Sequence, residues 1–195
     1  MNGFVGGLAK VAYGAFAMPF QYALSQVMKS LKNNSNEPTD QSRRSGRLDL
    51  ERHVPALITW INNKYSAETS KIYRKRFEIG IADWRVIGFL GVHGSGTSAQ
   101  MSDFLGMDKA AVSRSVTMLQ ERKLICETLR SGRKVILELT PQGEKMFGDV
   151  LEIALQGEVQ LLQGFSSAEI EILMNLLNRL HDNIHLVSRI DDDER

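Results

Sequence analysis

Between Thr97 and Pro141 the chain is punctuated so closely by helix and strand signals that few arrangements satisfy all of them. Thr97 or Ser98 is a cap residue placed before a short apolar group, Met101, Phe104 and Leu105, which predicts a third helix, and Gly106 stops it. Asp108 caps a fourth helix, from Lys109 to about Arg122, in which Val112, Val116 and Leu119 recur on one face. Leu124-Ile125 and Val135 to Leu139 are β-branched or alternating, and Arg130-Ser131-Gly132-Arg133 between them reads as a hairpin tip. Thr140-Pro141 then restarts a helix, a cap followed by a proline whose missing N–H costs nothing in a first turn.

The flanks are helical. Pro55 suits a first turn, and Leu57, Ile61, Tyr65, Ile72 and Phe77 follow at near-helical spacing, predicting a long first helix. Ile79-Gly80-Ile81 breaks the pattern, and Asp83 is placed to cap a second helix, Trp84 to Val92, with Val86, Ile87, Phe89 and Leu90 inward. Gly94-Ser95-Gly96 reads as a turn. After Pro141 a helix runs through Met146, Val150, Ile153, Leu155, Val159 and Leu162. Ser166 to Glu169 has the form of a capping box and opens a last helix with Ile170, Leu173, Leu176, Leu177, Leu180 and Ile184 expected inward.

Charge adds a direction to this order. The 195 residues carry 24 Lys and Arg against 23 Asp and Glu, a net charge of +1, yet residues 1–148 balance at +8 and residues 149–195 at −7. Between Asp108 and Lys145 there are eight bases and five acids. A near-neutral total therefore does not exclude a nucleic-acid partner, because a basic middle is offset by an acidic end.

The fold class expected is mainly α with a small β-wing: a winged helix-turn-helix flanked by further helices. In such a unit the fourth helix enters a major groove about 12 Å wide. Its N-terminal half presents Lys109, Ala110, Ser113 and Arg114 to bases and phosphates, with Ser98 at the start of the third helix as a further contact. Arg130, Arg133 and Lys134 at the hairpin tip have the charge to reach phosphates or the minor groove.

Three strings, Trp84-Arg85-Val86-Ile87, Asp108-Lys109-Ala110-Ala111-Val112-Ser113-Arg114 and Leu137-Glu138-Leu139-Thr140-Pro141-Gln142-Gly143, resemble the MarR family of bacterial transcription regulators, over about residues 50–188. The wing departs from that pattern: the family usually has an acidic residue two positions before its key Arg, where this chain has Ser131 before Arg133. The resemblance implies a homodimer held by the first and last two helices and bound to a palindromic operator. It also implies a repressor released by a small effector, often aromatic, between the dimerisation helices and the DNA-binding lobe. His53, Trp60, Trp84 and Arg85 come from the elements around that pocket, with His53 or Arg85 available to meet the carboxylate of an aromatic acid or its thioester; the plainer alternative is that the aromatic residues are core.

The domain plan is an apolar extension (1–30), a polar linker (31–47), the winged domain (48–188) and an acidic tail (189–195). Within the winged domain the DNA-binding lobe is expected at about 83–140 and the dimerisation helices at about 50–78 and 141–188. The extension is uncharged from Val11 to Met28, but it holds Gln21, Ser25, Gln26 and a central Pro19, a poor composition for a segment that needs roughly 20 apolar residues to span a bilayer. The alternative function is accordingly a winged-helix adaptor for protein contacts, or one tethered to a membrane by this extension. Cys126 is the single cysteine, so an internal disulfide is excluded, no oxidising compartment is called for, and a cytoplasmic protein is expected. His181 and His185 share the spacing of a metal-binding helix face, but no carboxylate or Cys cluster completes a site, so neither metal nor cofactor is expected. No Gly-x-Ser-x-Gly elbow occurs, and Gly91 to Gly96 lacks the Lys-Ser/Thr of a phosphate loop, which argues against an enzyme.

Overall fold

The structure, a computed structural model, describes residues 48–131, 134–187 and 189. The apolar extension, the polar linker, Gly132 and Arg133 of the hairpin tip and the tail from Ile190 onward lie outside the described residues. The chain divides into two compact units, of which the larger is Asp49–Leu161.

The larger unit opens with Asp49, whose carboxylate accepts from the Glu51 N–H at 3.1 Å, and a single 3-10 turn, Leu50–Arg52. Helix α1, Val54–Phe77, follows with proline in its first turn. Its buried face is carried by Thr69, Ser70 and Tyr73, while Ile61 and Ile72, two of the apolar residues at helical spacing, are 55% and 39% exposed. Apolar spacing identifies a face; only the C-terminal part of α1 is covered within this unit, where α1 packs on the next helix and on the later helix beginning at Pro141.

Helix α2, Ile81–His93, begins three residues before the expected start at Trp84. Gly80 is its N-cap, and Asp83 works from inside the first turn, its carboxylate accepting from the Gly80 N–H at 2.7 Å. Val86, Ile87, Phe89 and Leu90 are buried as their spacing predicts. The segment read as a turn is in part a strand: β1, Ser95–Gly96, pairs antiparallel with the later strand β3, Lys134–Leu139. A side chain at position 96 would meet Phe89 Cε1 at 2.5 Å and push the ring aside, so glycine lets this strand lie directly on the core.

Thr97 caps α3, Ser98–Leu105, in a reciprocal box with Gln100, and Gly106 ends it at φ 60°. Asp108 caps α4, Lys109–Glu121, by accepting from the Ala110 and Ala111 N–H groups at 3.1 and 3.2 Å. Strand β2, Ile125–Ser131, pairs with β3 from Ile125↔Leu139 to Ser131↔Lys134, with a bulge between Glu127 and Leu129, giving a sheet of order β1-β3-β2. Helix α5, Pro141–Leu161, starts where Thr140 Oγ1 accepts from the Gly143 N–H at 3.1 Å. Val86, Ile87, Leu90, Met101, Val112 and Leu119 form the heart of the core beneath α4 and the wing.

The second unit contains α6, Ser167–Asp182, with the expected Ser166–Glu169 box, and α7, Ile184–Val187. Asn183 interrupts what was read as one helix. None of the residues of α6 is buried: Leu176, Leu177 and Leu180, expected inward, are exposed, as is Ile184 on α7. Their spacing marks an apolar stripe that the described protomer leaves open.

Candidate nucleic-acid interface

Helix α4 is divided lengthwise. Val112 and Leu119 are fully buried and Val116 nearly so, each worth roughly 1.5–3 kcal/mol of transfer energy when buried. These residues hold the helix against α2 and α3. The opposite face carries Lys109, Ala110, Ser113 and Arg114, all exposed. Thr117 lies one turn beyond Ser113 on this exposed face, its hydroxyl donating to the Ser113 carbonyl at 3.1 Å. Ser98 is half-buried in the first turn of α3.

The wing emerges from the same core. Leu124, Ile125 and Leu137 are buried at its base. Arg130 pairs with Val135 and Lys134 with Ser131 in the backbone register, which puts both at the end of the hairpin farthest from that base. Arg133 lies outside the described residues. The base is clamped to α5: Thr140 donates through its backbone N–H to the Leu124 carbonyl at 3.0 Å and through its hydroxyl to the Lys123 carbonyl at 2.7 Å. Gly143 sits directly over Leu124, and a Cβ there would fall 1.9 Å from the Leu124 carbonyl oxygen. The Leu-Thr-Pro-Gln-Gly string is therefore the joint between wing and helix.

The lobe's basic residues are not all turned outward. Arg122, at the C-cap of α4, donates from Nη1 to the Glu78 carbonyl at 2.8 Å and from Nη2 to the Phe77 carbonyl at 3.0 Å. Arg122 is one of the eight bases between Asp108 and Lys145, and the fold uses it to join α4 to the end of α1.

A profile of the MarR family matches residues 78–134, which span the helix-turn-helix and most of the wing. The MarR/EmrR family transcriptional regulator from Acinetobacter sp. ADP1 is 33% identical, with a TM-score of 0.66 over 71% of this chain and 99% of that one. The chain belongs to the MarR family. Two more distant structures share the fold. One is a putative MarR-family regulator from Listeria monocytogenes complexed with 26mer DNA, at 19% identity and TM-score 0.61, covering 65% of this chain and 85% of that one. The other is BpsR from Bordetella bronchiseptica, described for the regulation of its DNA binding by 6-hydroxynicotinic acid, at 20% identity and TM-score 0.55, covering 64% and 98%.

The residues expected around an effector are placed as follows in this MarR-family regulator. Trp84 is flanked by Phe147, stacked with centroids 5.9 Å apart, and by Tyr73, tilted at 6.0 Å. Arg85 donates to Asn62 Oδ1 at 3.3 Å, linking α2 to α1. His53, the N-cap of α1, is half-buried, with Nδ1 enclosed and without a hydrogen-bond partner among the described residues, and Trp60 is 40% exposed. Burial, and secondarily Tyr65, pushes the Tyr73 phenol up to about 12; burial and then Glu158 raise the Tyr65 phenol. Cys126 is exposed on β2. Among the described residues no group of three His, Cys, Asp or Glu could hold a metal ion, and no helix is long and apolar enough to cross a membrane.

Proposed function

We infer that this MarR-family transcriptional regulator is a homodimeric repressor that reads a palindromic operator and is released by a small effector, an aromatic acid or its thioester. The observation that carries the reading is the two-sided α4: a buried apolar face fixes the helix, and an exposed face offers Lys109, Ala110, Ser113 and Arg114 to a major groove. Arg130, Arg133 and Lys134 of the wing supply backbone or minor-groove contacts beside it, and Ser98 is a further contact. Apolar side chains left open on α1 (Val54, Ile58), α5 (Leu155, Val159) and α6 (Leu176, Leu177) favour a second copy as partner, because solvated monomers seldom expose so much apolar surface. His53, Trp60, Trp84 and Arg85 are the proposed effector contacts, and the regulation of BpsR by an aromatic acid gives the effector class its support. The setting proposed is the cytoplasm, with residues 1–30 dispensable for DNA binding.

The test is DNA binding at several salt concentrations, using duplexes that the wild-type protein selects from a random pool. Arg114→Ala is expected to cost about 1–3 kcal/mol of operator affinity if it contacts a base, or to lower the salt slope by about one if it contacts a phosphate. Arg114→Ala binding as tightly as wild type at every salt concentration overturns the assignment of α4.

A further inference from the structure

The C-terminal ends of α1 and α4, more than forty residues apart in sequence, are joined by one guanidinium. Glu78, the C-cap of α1, is left-handed at φ 57°, and the carbonyls of Phe77 and Glu78 both accept from Arg122. The Glu78 carboxylate lies 3.9 Å from Arg122 Nη2, but the Glu78 side chain is 86% exposed, so water screens it and the two carbonyl bonds are the substance of the contact. A helix C-terminus is an apt target for a cation, because its last carbonyls lack partners in the helix and carry the negative end of the macrodipole. The planar fork of arginine reaches the two acceptors from two separate nitrogens held at a fixed spacing, whereas lysine offers a single nitrogen on a flexible stem.

On the α4 side the anchor is equally fixed. Arg122 ends the helix, Lys123 follows at φ 58°, and the Leu124 N–H returns to the Leu119 carbonyl at 2.9 Å, with Leu119 and Leu124 both buried. This is the hydrogen-bond pattern of a Schellman close, and it leaves Arg122 little freedom to follow a moving α1 without taking α4 along.

We propose that Arg122 is a positioning residue for DNA reading: by clasping the Phe77 and Glu78 carbonyls it sets the angle at which α4 is presented from the end of α1, and a displacement of α1 reaches the DNA-reading face through this clasp. The inference rests on α4 being the DNA-reading helix, as proposed above. It assigns Arg122 no DNA contact.

Arg122→Lys is the informative variant, because it keeps the charge and most of the stem and removes the fork. Its affinity for the selected duplex is expected to fall roughly tenfold, the scale of an ordinary coupling between sites. Affinity for a scrambled duplex and the slope of log affinity against log salt should stay at wild-type values, since no phosphate contact is lost. Arg122→Ala should give the same loss of affinity with the same slope. In the DNA-free protein, hydrogen exchange should quicken together in the last turns of α1 and α4 in both variants. Unchanged operator affinity, a salt slope lowered by about one in Arg122→Ala, or faster exchange confined to α1 would each overturn the proposal. Should Arg122→Ala not fold, Arg122→Lys carries the test alone. If wild-type protein selects no sequence, it is the operator-reading function that fails, and the exchange measurement decides the clasp without it.

Discussion

Replacing Gly143 by alanine probes the joint between the wing and α5. The added Cβ would lie 1.9 Å from the Leu124 carbonyl oxygen and 3.0 Å from its carbon, both backbone atoms that cannot rotate aside. An ordinary close C···O approach is about 3.3 Å, so the first turn of α5 and the base of β2 must separate by about 1.4 Å. That movement stretches the Thr140 N–H bond to Leu124, now 3.0 Å, and the Thr140 hydroxyl bond to Lys123, now 2.7 Å, beyond useful length. Two hydrogen bonds at about 1 kcal/mol each, with an overpacking cost of about 1–3 kcal/mol, give an expected loss of about 3–5 kcal/mol. For a chain of this size the fall in Tm is on the order of 10 °C. Gly148 on the same helix is the internal control, because a Cβ there meets nothing within 4 Å, and Gly148→Ala should stabilise by up to about 1 kcal/mol. Urea and thermal unfolding of both variants at equal protomer concentration measure the contrast. If Gly143→Ala unfolds within about 0.5 kcal/mol of wild type, the joint is not tight and the reasoning is wrong.

Other outcomes follow from single residues. Lys123 holds a left-handed conformation at φ 58° with an exposed side chain, so Lys123→Gly should raise stability by roughly 0.5–1 kcal/mol, and a loss instead would show that the conformation is not strained. Asp108→Ala removes the acceptor for the Ala110 and Ala111 N–H groups and should cost about 0.5–2 kcal/mol, read by urea unfolding, while Asp108→Asn should cost much less. The Tyr73 phenol, raised from 10.0 to about 12 chiefly by burial, keeps its proton longer in the folded than in the unfolded chain. Its contribution is therefore intact below pH 10 and is lost as pH climbs towards 12; Tyr73→Phe should flatten that alkaline decline, and an unchanged decline would show that Tyr73 is not its source. An effector that releases DNA should also alter the fluorescence of Trp60 or Trp84; release with both indoles unperturbed would count against the proposed pocket.

The order of helices from α1 to α6 was legible in the chain because most of their boundaries are written locally. Thr97, Asp108, Thr140 and Ser166 satisfy N–H groups two or three residues away, and Gly106 accepts a left-handed turn without a Cβ penalty, so neighbours in sequence suffice to decide them. The exposed face of α4 followed from the same logic, since three buried positions at helical spacing leave Lys109, Ala110, Ser113 and Arg114 on the other side. What could not be read depends on partners far away in the chain. Strand β1 is two residues of Ser-Gly with no alternation to detect, and it exists only because β3 supplies its hydrogen bonds. Gly143 looks like a routine helix glycine until Leu124 is placed beneath it. Apolar stripes on α1 and α6 declared themselves in the spacing, but whether a stripe is buried in its own protomer is settled by what packs on it, and Ile61, Leu176 and Leu177 remain open. Arg122 is one base among eight in the basic middle of the chain; the carbonyls that claim it come from a helix end more than forty residues earlier, and only folding brings that end within hydrogen-bonding distance.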